Sequence, residues 1–67
     1  MNYEKLDQAL MMHYTTEVLG SAEAAVLWLL TRSHYLHNRR PVDLIRHEDG
    51  RREVYDYLKK IELGIYI

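Results

Sequence analysis

The longest apolar run lies in Ala22 to Leu30, AEAAVLWLL, which carries no polar residue for seven positions after Glu23. A helix made from it is apolar on every side, so the pattern predicts one central helix covered all round by the other segments. Trp28, the only tryptophan, needs neighbours from several segments and is expected to mark the middle of the core. Upstream, Tyr3, Leu6, Leu10, Tyr14 and Val18 recur at spacings of three and four. That is one helical face, and it predicts a first helix from near Tyr3, capped by Asn2 and lying on the central helix. Met11 and Met12 widen the stripe as adaptable core fillers. Gly20 suits the end of this helix and Ser21 the cap of the next, so a tight corner is expected between them.

From Thr31 to Arg40 the periodicity fails, which predicts an ordered loop pinned by Leu36 with Asn38 as its left-handed residue. Pro41 suits the first turn of a short helix through Val42, Leu44 and Ile45. His47, Glu48, Asp49 and Gly50 read as a polar break. Arg51 to Leu63 then forms a last helix, with Val54, Leu58 and Ile61 inward and Tyr57 at the edge. Gly64 ends it and leaves an apolar tail, Ile65, Tyr66 and Ile67. The expected fold is all-α: one small domain over residues 1–67, a bundle of about four helices, the third short, around the central apolar helix.

Sixty-seven residues make a core of marginal stability, so association with a partner or a second copy would help; a homodimer through the first helix and its methionines fits this need. The absence of cysteine removes disulfides, thiolate metal sites and thiol catalysis. The apolar run is also far short of the roughly 20 residues that span a bilayer, so a cytoplasmic protein without membrane contact is expected.

The net charge of −1 hides an asymmetry. Between Arg32 and Arg52, six arginines face three acids, a local +3, and the remainder sums to −4. A generic nucleic-acid binder is basic overall, so contact with nucleic acid through Arg39, Arg40, Arg46, Arg51 and Arg52 ranks behind a protein interface built from the same arginines with Tyr35 and Tyr55. AEAAVLWLL is too apolar to be a recognition helix in a major groove, and direct DNA binding is not expected.

Candidate chemistry is thin. His34 and His37 form an H-x-x-H pair without a third ligand, and His13 with Glu17 reads as a surface pair. Only Ser21 and Ser33 offer hydroxyl nucleophiles of the serine type, and the three glycines fall at expected helix ends rather than in a phosphate loop. The chain is therefore not expected to be an enzyme or to need a metal or cofactor.

The order of residues carries more. EVLGSAEAAVLWLL, then Leu36, Pro41-Val42-Asp43-Leu44-Ile45, Gly50, Val54, Leu58, Ile61-Glu62 and Gly64 resembles the C-terminal toxin-binding domain of Xre/MbcA/ParS-type antitoxins. The family's pattern falls on Gly20, Ala25, Trp28, Leu29, Leu36, Pro41, Asp43, Leu44, Val54, Leu58 and Gly64, and the match runs from about Glu17 to Gly64. The resemblance implies a small helical domain that covers the active-site entrance of a RES-type toxin, an enzyme that consumes NAD or transfers ADP-ribose. Full-length members usually carry a helix-turn-helix domain in front, for which about twenty residues are too few. The chain also departs from the pattern in the loop, where Arg32-Ser33 replaces Pro-Asn and Asn38 replaces a glycine.

By position, the expected partner-binding surface is the last helix and tail: Arg51, Arg52, Tyr55, Lys59, Tyr66 and Ile67. The alternative keeps the fold and changes the target, giving a small phage or mobile-element inhibitor of another host complex such as a nuclease system.

Overall fold

A computed structural model describes residues 7–64. Among the described residues four α-helices follow in order: α1 (Gln8–Leu19), α2 (Ala22–Leu30), α3 (Pro41–Leu44) and α4 (Glu48–Glu62), with a 3₁₀ turn at His34–Leu36 between α2 and α3. No strand occurs among the described residues; the nearest thing is one isolated antiparallel bridge between Ser33 and Arg39 that closes the loop.

Local chemistry sets most boundaries. The Asp7 carboxylate accepts a hydrogen bond from the Leu10 backbone N–H at 2.9 Å and starts α1. Because Asp7 is extended, the helix begins at Gln8 rather than near Tyr3; Asn2, Tyr3 and Leu6 lie outside the described residues. Gly20, at φ +92°, ends α1 in the left-handed region. Ser21 then caps α2 through Oγ and the Ala24 N–H, making the tight corner that the Gly-Ser pair predicts. In the loop, Leu36 is buried and both His37 and Asn38 adopt positive φ, one residue more than expected. Pro41 opens α3, and Gly64, at φ +74°, follows α4.

The start of α4 differs from the sequence reading. Glu48, Asp49 and Gly50 form its first turn instead of a break, with both acids favourably placed at the positive end. Gly50 is buried because α3 crosses there: a Cβ on it would stand 1.9 Å from the Leu44 carbonyl oxygen. This glycine allows two helices to approach rather than marking a helix end.

Every element contributes to the interior. Met11 of α1, Leu29 of α2, Leu36 of the 3₁₀ turn, Ile45 after α3, and Val54 and Leu58 of α4 form one buried cluster, flanked by Tyr14, Val18, Trp28, Tyr55, Tyr57 and Ile61. On α1 the inward residues are Met11 and Thr15, whereas Leu10 is half-exposed. The predicted stripe is thus rotated by about one position. Thr15 is accommodated because its hydroxyl donates to the Met11 carbonyl at 2.7 Å. With Met11 inside, only Met12 of the methionine pair reaches the surface, so the pair is unavailable as a dimer contact.

The largest correction concerns α2. Only Ala25 and Leu29 face inward, while Val26, Leu27 and Leu30 are 48%, 69% and 51% exposed. Trp28 lies at the flank of the core, its ring 5.5 Å from that of Tyr57, and not at the centre. A nine-residue helix needs neighbours on all sides to be covered, and the other helices pack against one side of this one.

Candidate functional site

The residues of α4 expected to meet a partner share one side of that helix, because positions 52, 55 and 59 are spaced by three and four and Arg51 adjoins them. The structure separates them by role. Arg51 is half-buried and its Nη1 donates to the Ile45 carbonyl at 3.1 Å, so it fastens the end of α3 to α4. Tyr55 is half-buried against the core with its ring 5.3 Å from that of Tyr14. Arg52 and Lys59 are the solvent-facing members, the former 3.9 Å from Glu48 and the latter 3.4 Å from Glu62. Tyr66 and Ile67 lie outside the described residues.

Glu62 also accepts a hydrogen bond from the Tyr14 hydroxyl at 3.1 Å, tying α1 to the end of α4. Burial, reinforced by this carboxylate, pushes the Tyr14 phenol up to about 12, since both effects oppose a phenolate.

The arginine-rich segment is largely engaged with its own backbone and acids. Arg39 donates to the Leu36 carbonyl at 2.8 Å and to Glu53 at 2.6 Å. Arg40 grips both oxygens of Asp43 at 3.0 and 3.1 Å, and this hydrogen-bonded pairing holds the Asp43 carboxyl below the usual carboxylate range. Arg32 donates to the Asn38 carbonyl at 3.0 Å. These arginines order the loop and the ends of α3.

His34 and His37 are exposed, and no group of three or more His, Cys, Asp or Glu that could hold a metal ion occurs among the described residues. His13 stands 3.7 Å from Glu17 with both side chains mostly in solvent, as a surface pair does.

Among the described residues, shallow hollows of about 400 Å³ open on the surface. One is lined by Tyr35, Leu36, His37, Glu53 and Asp56. Its aromatic wall continues inward as a stack, Tyr35 on Tyr57 at 4.5 Å, with the Lys60 ammonium 5.7 Å from the Tyr35 ring. Another lies on α2, lined by Ala22, Glu23, Val26 and Leu27. It belongs to the exposed stripe that the sequence reading missed, in which Glu23, Val26, Leu27 and Leu30 fall at spacings of three, one and three. The available signal was numerical: so short a chain has too few apolar side chains to surround a uniformly apolar helix.

The motif positions other than Asp43, which is exposed, have a common character. Ala25, Leu29, Leu36, Pro41, Val54 and Leu58 are interior, Trp28 and Leu44 pack against the core, and Gly20 and Gly64 take the left-handed turns. The pattern therefore specifies a scaffold. A family model described as the antitoxin Xre/MbcA/ParS C-terminal toxin-binding domain matches residues 15–64. No curated protein and no solved structure gives a significant match.

Proposed function

The chain belongs to the antitoxin Xre/MbcA/ParS C-terminal toxin-binding domain family, and from that premise we propose that it binds a RES-type toxin and blocks the entrance to its active site. The target is an enzyme that consumes NAD or transfers ADP-ribose in the cytoplasm. The chain itself acts as one binding unit, catalyses nothing and uses no cofactor. The observation that carries the reading is the family match over residues 15–64, which takes in the buried residues of α2, α3 and α4. Inhibition by occlusion suits such an object, because helices locked by a shared core lose little conformational freedom on binding.

For the contact surface the proposal uses the outer side of α4 and the residues after it: Arg51, Arg52, Tyr55, Lys59, Tyr66 and Ile67. Arg52 and Lys59 are exposed cations that would meet acidic groups at the rim of the toxin's cleft. Arg51 and Tyr55 hold that side of the helix in place.

The test is co-expression with a RES-type enzyme encoded beside this chain. A stable complex and preserved cellular NAD are expected; NAD loss in the presence of abundant folded chain, with no complex recovered, would refute the proposal. An Arg52→Glu, Lys59→Glu double variant should weaken the complex while leaving the melting temperature within a few degrees, since both side chains are exposed.

A further inference from the structure

We infer that the exposed stripe of α2 is a self-association surface, on which a second copy of this chain pairs its own α2 antiparallel about a two-fold axis between Val26 and Leu27. The α4 side proposed for the toxin is a different surface, and the inference does not rest on that reading. Three side chains, Val26, Leu27 and Leu30, keep about half or more of their surface in water on one side of a single helix. They stand in a row with Glu23 at the spacing by which helices meet.

The row is self-complementary. In an antiparallel pair centred between Val26 and Leu27, Val26 of one copy faces Leu27 of the second copy. Leu30 faces the Glu23 end of the second copy. The hollow lined by Ala22, Glu23, Val26 and Leu27 lies at that end. It is a shallow depression lined by four residues of one helix face, where a single apolar side chain from a facing helix can rest, and Leu30 of the second copy is the one this register delivers. Ala22 keeps the depression open by being small.

Charge agrees with the same register. The two Glu23 carboxylates fall at opposite ends of the pair, about 10 Å apart along the axis, so like charges are not forced together. Arg32 is exposed and follows α2 directly, which brings it to the end where Glu23 of the second copy lies. Its Nη1 is engaged with Asn38, which leaves the other guanidinium donors for a carboxylate. A row of three apolar side chains is small beside the roughly 800 Å² per partner of a standard interface, so the dimer is expected to be weak and concentration-dependent.

Sedimentation of the full chain alone, from low micromolar to millimolar concentration, tests this. The parent should pass from monomer to dimer. Leu27→Lys should weaken association about tenfold or more without unfolding the chain, because Leu27 is 69% exposed. Glu23→Arg should weaken it about fivefold, and Glu23→Arg combined with Arg32→Glu should restore it. A parent that stays monomeric throughout, a Leu27→Lys chain that associates like the parent, or a charge swap that restores nothing would each overturn the inference. A monomeric parent whose toxin capture is lost in Leu27→Lys would also overturn it, by assigning the stripe to the toxin, while supporting the proposed function.

Discussion

Replacing Gly50 with alanine is expected to destabilise the domain, although the position lies inside a helix, where alanine is ordinarily the better residue. Propensity alone favours the change by about 1 kcal/mol. Against it, the new Cβ would lie 1.9, 2.6 and 2.9 Å from the carbonyl oxygen, carbonyl carbon and Cα of Leu44. All three are backbone atoms, so no side-chain rotation relieves the overlap. Separation of α3 from α4 by an ångström or more is required, which loosens Ile45 in the core and the Arg51 contact to its carbonyl.

Overpacking of this kind costs about 1–3 kcal/mol, and the upper part of that range, about 2–3 kcal/mol, applies where backbone must move. Subtracting the propensity gain leaves a net loss of about 1–2 kcal/mol, or roughly 5–15 °C in melting temperature for a domain of this size. Thermal unfolding followed by circular dichroism reads it directly. A Gly50→Ala melting temperature equal to or above the parent's would refute the close-approach reasoning. Gly20→Ala is the control: nothing lies within 4 Å of a Cβ there, so its loss of about 1–2 kcal/mol reflects only the left-handed backbone.

Other expectations concern burial, caps and pH. Leu29→Ala should cost about 2–5 kcal/mol and Leu27→Ala about 0.5 kcal/mol or less, in denaturant titrations of two leucines on the same helix. Similar losses at both would mean that α2 is covered on both sides. Asp7→Ala and Ser21→Ala should each cost about 1 kcal/mol through their helix caps, with the Asp7 effect seen as fraying of α1 in amide protection. The Tyr14 phenol is raised in the folded chain, so the fold keeps this contribution below about pH 10 and loses it as pH rises towards about 12. Tyr14→Phe should flatten that alkaline decline, and an unchanged slope would exclude Tyr14 as its source.

The helices and most of the interior were legible because they rest on local codes. Gly20-Ser21, Pro41 and Gly64 name their own backbone conformations, and Val54 and Leu58 follow from periodicity. Three features were not local. The rotation of α1 towards Met11 depends on where α4 presses, the burial of Gly50 depends on the path of α3, and the exposure of Leu27 depends on which side of α2 the other helices take. The candidate surface was least legible. Arginines that look like a display in sequence are fixed to carbonyls and acids a few residues away, a pairing that hydropathy patterns do not register.

The six side chains of the buried hydrophobic cluster divide among every described helix or turn of the bundle except that α4 supplies two, with Ile45 standing for the end of α3. No subset of elements encloses a core of its own. Opening of any one should therefore release the rest, and the slowest amide protons near Met11, Leu29 and Val54 should exchange with one shared free energy, without a partly open species between intact and unravelled chain.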